Sequence, residues 1–346
     1  MDVVYSPDHA LHDPQSFLVR GLIQPAAEVP ERAQMLHDAI VEEHRILPPQ
    51  PHADSAIARI HTPDYLAFLR SAHARWSELP NAGPEVIPNV YPARTASPAR
   101  PDNVVGQAGF HMGDGACPIG PTTWEAARLA ADIALTTADL VRDGATHAYA
   151  LCRPPGHHAF RDMASGFCYL NNIAIAAEHL RPTFGRSAIF DFDVHHGNGT
   201  QSVFWERDDV LFVSLHADTT SFHPYFWGHR HECGVGAGTG FNCNIPLPGG
   251  TDDDVFLEAV DAGLDRVASY APGVLLVSAG FDAQENDPLG ILNITTDGFR
   301  RVGEQLGLFA RLHQLPAVLV QEGGYLCDEL GLNLAAFLAG FETTRG

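Results

Sequence analysis

A chain of 346 residues with 45% hydrophobic content is long enough to bury a sizeable core, and 42 acidic against 21 basic residues leave a formal charge of −21. Such a charge repels nucleic acid and anionic membrane surfaces, and no run approaches the roughly 20 apolar residues of a membrane span. The start, MDVVYSPDHALHDPQ, lacks the basic and apolar segments of a signal peptide, so the expectation is a cytoplasmic protein that binds neither nucleic acid nor membrane.

In chain order, the first expected element is a long loop at about 12–30 carrying the apolar stretch SFLVRGLI. Helical patterns follow near 31–44 and 63–77. Six prolines between Pro80 and Pro101 forbid a helix and disfavour a central strand, so about 80–105 reads as a second long loop, anchored by Val86, Ile87, Val90 and Tyr91. Neither loop is Gly/Ser-rich like a linker, and residues 1–346 read as a single domain. TTWEAARLAADIALTTADLVRDG then has a Thr cap, apolar residues at three- and four-residue spacing and a stop at Gly144, which predicts a helix.

Beyond it, the short apolar runs HAYALC, SAIFDFDV, DVLFVSLHA, GVLLVSAGF and AVLVQEGG alternate with helical patterns near 172–180, 252–269 and 296–314. This alternation predicts an α/β fold: an open, mainly parallel sheet flanked by helices on both faces, with the active site at the C-terminal ends of the strands. The segments that follow the runs, RPPGHH, DVHHGNG, HADTTSFHP, DAQENDP and GGY, all bring polar chemistry to that edge. The six cysteines, Cys117, Cys152, Cys168, Cys233, Cys243 and Cys327, form no CxxC pair and suit reduced thiols.

Side chains two apart on an extended strand share a face, so Asp191, Asp193 and His195 align while Phe192 and Val194 enter the core. Asp193 and His195 can bind one metal together, and Asp282 is the best-placed third ligand. One imidazole and two carboxylates leave a coordination position open for water, as catalytic Zn²⁺ or Fe²⁺ sites do. His157 and His158 could be ligands themselves or proton-transfer groups. Asp191 can hold one imidazole cationic, and Asn198 can orient the other as a neutral base titrating near its ordinary range. Tyr325, after two glycines, can reach the metal and share a developing oxyanion with it.

RPPGHH, GFCYLNN, DFDVHHGNGTQ, FHP, NDPLG and QEGGY occur in the order and spacing of the zinc-dependent histone deacetylase family, which shares the arginase fold, and the resemblance runs across nearly the whole chain. The first loop, the Pro-rich stretch and GPTTWEAA look like its bacterial acetylpolyamine amidohydrolase branch. The resemblance implies that Asp193, His195 and Asp282 hold one Zn²⁺, that His157 and His158 are the tandem pair, and that Tyr325 polarises the substrate carbonyl. It also implies K⁺ bound by Asp191, Asp193, Ser214 and the backbone oxygens of His195 and Leu215, with a second K⁺ site near Phe204, Arg207, Val210 and Phe241. Phe167 and Phe222 would wall a narrow tunnel, with Gly166, Gly323 and Leu289 beside it.

Two positions depart from the polyamine pattern. Glu125 supplies one acidic residue for the mouth, but the second expected acid is Ala116, with Asp114 two residues away, and Leu289 stands where certain polyamine-selective members carry Glu. The implied reaction is hydrolysis of a small cationic acetylated amine such as acetylputrescine or acetylcadaverine, with acetyl-lysine peptides as the alternative substrate. A binuclear Mn²⁺ ureohydrolase would need a close Asp-x-Asp pair at Asp282, where the next acids are Glu285 and Asp287. A binding module without catalysis would have lost the tyrosine or a tandem histidine. In the polyamine branch such loops pair two subunits, which predicts a homodimer whose loops narrow the entrance.

Overall fold

The computed structural model describes residues 1–93 and 99–343; positions 94–98 of the expected second loop and 344–346 at the end of the expected domain lie outside the described residues. The strands are β1 (Asp2–Val4), β2 (Ser16–Val19), β3 (Leu22–Pro25), β4 (Arg45–Leu47), β5 (His147–Ala150), β6 (Ser187–Asp191), β7 (Val210–Ala217), β8 (Asn242–Leu247), β9 (Val274–Ala279) and β10 (Ala317–Gln321). Among the described residues, eight of them form one sheet in the order β4-β1-β5-β10-β9-β6-β7-β8, with each neighbouring pair parallel. β2 and β3 form a separate antiparallel hairpin.

Both faces of the sheet are covered, which is why its central strands read as continuous apolar runs. Alternate residues sort to opposite cores: Ala188 and Phe190 of β6, Val213 of β7 and Val277 of β9 face one, while Ile189, Phe212 and Leu276 face the other. The first core is closed by helices Pro30–Asp38, Asp253–Tyr270, Thr296–Leu312 and Leu330–Thr343, and the second by Pro63–Ser77, Thr123–Arg142 and Asn172–Phe184. A side chain such as Phe190, with no exposed surface, contributes about 1.5–3 kcal/mol by burial.

The expected fold class is therefore borne out, with local corrections. The helix expected at 31–44 ends at Asp38, and β4 begins at Arg45. The expected loop at 12–30 contains the β2–β3 hairpin, closed by Arg20 and Gly21 at φ of 51° and 77°. Positive φ at both central residues matches the right-handed twist of a two-residue hairpin. Helix Val104–His111 begins inside the expected loop at 80–105. The apolar run SAIFDFDV leaves the sheet at Asp191 rather than at Val194, because Asp191 Oδ1 accepts the Asp193 amide at 3.1 Å and Asp193 Oδ1 accepts the His195 amide at 2.9 Å. Each aspartate turns its own backbone two residues on, which ends the ladder while Phe192 and Val194 stay fully buried.

Candidate active site

The four central strands β5, β10, β9 and β6 release the chain at one edge, and the expected site residues meet there. Asp193, His195 and Asp282 offer one donor atom each, all within 4.8 Å of one another, a set that could hold one metal ion. His195 Nδ1 lies 3.0 Å from Asp282 Oδ2 and 3.3 Å from Asp193 Oδ1. The carboxylates are held from behind: Asp282 Oδ1 accepts the Val194 amide at 2.9 Å, and Asp193 Oδ2 accepts the Gly323 amide at 2.8 Å. A β-carbon at Gly323 would collide with Oδ2 of both aspartates, and one at Gly280 with Asp193 Oδ2, so these glycines admit the carboxylates. One imidazole and two carboxylates, closely packed and fixed by amides, suit a divalent ion with a position open to the cavity.

His157 and His158 are buried side by side, ring centroids 4.1 Å apart. His157 Nδ1 is 3.0 Å from Asp191 Oδ2. Burial disfavours its cation, but the carboxylates of Asp193 and Asp191 outweigh that and raise its pKa to about 10. His158 Nδ1 is 2.7 Å from Asn198 Oδ1, an atom that also accepts the Gly199 amide and is therefore the carbonyl oxygen. His158 must donate through Nδ1, which leaves Nε2 as the acceptor. The expectation that His158 titrates near its ordinary range is corrected: burial, then the neighbouring His157, His223 and His195, push it well below 6.5.

Tyr325 is buried against Arg32, whose guanidinium lies 4.7 Å from the ring centroid, and Phe167, 5.6 Å away ring to ring. Burial raises its phenol well above 10, so it stays a donor at neutral pH. Its amide donates to Asp287 Oδ2 at 2.7 Å, and Leu289 donates to Oδ1 at 2.8 Å. Arg32 in turn donates to the backbone oxygens of Gly324 and Glu322. Glu322 Oε2 accepts the amides of Gly156 and His157 at 2.7 and 3.0 Å, tying β10 to the tandem-histidine turn. Arg32, Asp287 and Glu322 were not picked out from the sequence; the signal available was charge next to the Gly-Gly and Asp-Pro turns.

A cavity of about 410 Å³ opens onto His158, His195 and Tyr325, with Phe167 and Phe222 in its walls as expected, and Gly166 and Leu289 beside them. Gly166 and Phe167 sit at φ of 52° and 67°, a tight turn closed by paired hydrogen bonds between Ser165 and Cys168. A β-carbon at Gly166 would strike the His158 ring. Phe222 stacks on His195 at 5.0 Å, and His223 stands edge-on to His158 at 5.1 Å. The sequence reading missed His223, Phe17 and Arg20, which the hairpin and the FHP turn bring to the cavity.

Asp114 lines the cavity, but Glu125 does not: it is exposed in the first turn of helix Thr123–Arg142, outside the lining. The expected place of Glu125 at the mouth is therefore corrected: its side chain is solvated on the helix surface and the described cavity is lined without it. Gly323 also lies behind the carboxylates and outside the cavity lining. Asp191 and Ser214 are paired neighbours on β6 and β7, and with Asp193 they are fully buried; Leu215 follows on β7. Phe204, Arg207, Val210 and Phe241 gather around the start of β7, where the oxygens of Phe204 and Phe241 accept the amides of Arg207 and Phe212.

A model of the histone deacetylase domain matches residues 26–341. The chain belongs to the histone deacetylase family. Within that family it is 43% identical over 344 residues to an acetylpolyamine amidohydrolase of Burkholderia pseudomallei, covering 99% of each chain, and 38% identical over 343 residues to an acetylpolyamine amidohydrolase of Mycoplana ramosa, covering 98% of this chain and 99% of that one. A crystal structure of acetylpolyamine aminohydrolase from Burkholderia pseudomallei matches with a TM-score of 0.95 over 100% of both chains, at 43% identity. The resemblance carried by RPPGHH, DFDVHHGNGTQ and QEGGY is thus borne out, and the arginase-like alternative is set aside by family. No helix among the described residues is long and apolar enough to cross a membrane.

Proposed function

We propose that this member of the histone deacetylase family is an acetylpolyamine amidohydrolase, which hydrolyses small cationic N-acetylated amines such as acetylputrescine or acetylcadaverine to acetate and the free amine. The convergence of the Asp193, His195 and Asp282 donors, the His157 and His158 pair and the Tyr325 phenol on one apolar cavity carries the reading. Asp193, His195 and Asp282 would hold one Zn²⁺, with Fe²⁺ as the substitute, which when bound supplies Lewis-acid polarisation of the carbonyl and makes water acidic enough to attack near neutral pH.

The protein's own groups do the rest. His158 Nε2 takes a proton from the attacking water and returns it to the departing nitrogen, a cycle for which Asn198 sets the tautomer. His157, paired with Asp191, is a fixed cation beside the developing negative charge. The Tyr325 phenol donates a hydrogen bond to the oxyanion, and Phe167 and Phe222 clasp the aliphatic arm and exclude water. No covalent intermediate is formed.

The assignment extends to K⁺, held by Asp191, Asp193, Ser214 and the oxygens of His195 and Leu215, with a second ion near Phe204, Arg207, Val210 and Phe241. The protein acts as a single cytoplasmic domain and pairs as a homodimer through the exposed hairpin. Acetate release from N-acetylputrescine, N-acetylcadaverine and an acetyl-lysine peptide, at one equivalent of zinc, tests the activity. Asp282→Ala should lose bound zinc on dialysis and all measurable turnover; retained zinc would remove Asp282 from the ligand set.

A further inference from the structure

The cavity mouth is charged in a way that a site for bare diamines does not require. Arg20 lines the same cavity as His158, His195 and Tyr325, placed there by the two-residue turn of the hairpin. Its guanidinium forms no ion pair or hydrogen bond with any of the described residues, in a protein where most arginines are paired.

The acids that might answer it are absent or engaged. Ala116 stands where a carboxylate would face the cavity, and Glu125 lies outside it. Asp114 has both oxygens committed: Oδ2 accepts Ser165 Oγ at 2.7 Å and the Gly166 amide at 2.9 Å, and Oδ1 accepts the Ala116 amide at 2.8 Å. His223 Nε2 lies a further 3.9 Å from Oδ2. Most of the remaining wall is apolar, with Phe17, Leu18, Phe167, Phe222, Leu289 and Ile291, and its other polar side chains, the hydroxyls of Ser221 and Tyr225, carry no charge. A distal ammonium entering this cavity meets one free cation and a carboxylate whose lone pairs are largely spent, whereas a distal carboxylate meets a planar fork of donors built for it.

We propose that Arg20 gives the site a further activity: deacetylation of acetylated amines whose only charge is a carboxylate at the far end of the aliphatic arm, the ω-acetamido carboxylates. The net charge of −21 slows the approach of such anions, so their recognition depends on this local cation. The proposal rests on the deacetylase reading above and specifies which end groups its tunnel accepts. The chemistry is unchanged: water adds at the acetyl carbon, the C–N bond breaks, the proton passes to nitrogen, and acetate leaves beside an ω-amino acid.

The test compares kcat/KM of the zinc-loaded enzyme for 4-acetamidobutanoate, 5-acetamidopentanoate and 6-acetamidohexanoate against N-acetylcadaverine and the uncharged N-pentylacetamide. At least one carboxylate should be hydrolysed faster than N-pentylacetamide. R20E, which replaces attraction by repulsion, should lower kcat/KM for that carboxylate relative to N-pentylacetamide by roughly tenfold, chiefly through KM, and raise it for N-acetylcadaverine; R20Q should fall between. Hydrolysis of N-acetylcadaverine with no turnover of any carboxylate, or equal effects of R20E on all end groups, would overturn the role of Arg20 and leave the deacetylase reading standing. Absence of acetate from every substrate would sink that reading itself.

Discussion

Two ends of the same cavity are built differently. At its floor, every group is over-determined: Asp193 is fixed by Gly323 and its own turn, Asp282 by Val194, His157 by Asp191, and His158 by Asn198, all essentially without exposure. At its mouth, the β2–β3 hairpin carries Leu22 and Ile23 with 61% and 75% of their surface exposed, and Arg20 has no hydrogen-bond or ion-pair partner among the described residues. The floor is where charge develops, and electrostatic stabilisation works only if the dipoles need not reorganise. The mouth reads the part of the substrate that does not react, so its residues can change without touching the chemistry.

The largest effect that would break this comparison is expected from Gly323→Ala. The added β-carbon collides with Oδ2 of both Asp193 and Asp282, the proposed zinc ligands, so zinc content after dialysis should collapse and turnover with it, while overpacking costs about 1–3 kcal/mol of stability. Full zinc occupancy in the variant would mean the floor is looser than its hydrogen bonds imply.

Tyr325→Phe removes one hydrogen bond and leaves the packing against Phe167 and Arg32. Loss of an oxyanion donor should lower kcat by roughly 10²- to 10³-fold with zinc retained. A kcat near that of the parent would take the phenol out of the reaction.

Asn198→Asp probes the neutral partner of His158. Because burial and the neighbouring His157 cation hold His158 below 6.5, the base is already deprotonated through the neutral range, and the acid limb of kcat/KM should lie below that of an ordinary histidine. A carboxylate beside Nδ1 favours the imidazolium, so the limb should move to higher pH, and activity should be lost first on the acid side. An unmoved pH profile would dissociate Asn198 from the base.

The smallest effect on stability belongs to the hairpin. Replacing Leu22 and Ile23 by Ser removes exposed apolar surface and should change stability by only about 0.5 kcal/mol, visible as a near-constant Tm. If the proposed homodimer forms through the hairpin, light scattering should show the parent as a dimer and the variant shifted towards monomer; a monomeric parent or an unchanged assembly would remove the hairpin as the interface.

Much of the floor was legible in the sequence because its elements carry strong local signals. β6, β7, β9 and β10 are buried on both faces and so read as unbroken apolar runs, and the polar residues that follow them must lie at one edge once the strands are parallel. β1 and β4, three residues each, are too short for a period of two to register, and β8, with alternate residues partly exposed, is interrupted by Pro246. The hairpin was hidden for a different reason: SFLVRGLI alternates weakly, and its turn is Arg-Gly, where Asn-Gly or Asp-Gly would have announced positive φ.

By itself, the sequence determined the fold class and that Asp193 and His195 share a face, since spacing along a strand dictates which side chains travel together; it offered Asp282, the tandem histidines and Tyr325 as candidates at neighbouring strand ends, and their roles came from the family resemblance. Only the tertiary structure decided that Glu125 stays outside the cavity lining, that Asp114 spends its oxygens on Ser165, Gly166 and Ala116, that Arg20 at the mouth has no ion-pair partner among the described residues, and that His158 is driven well below its ordinary range. These depend on contacts between segments far apart in the chain and on the water each group has lost, and neither is encoded in local spacing.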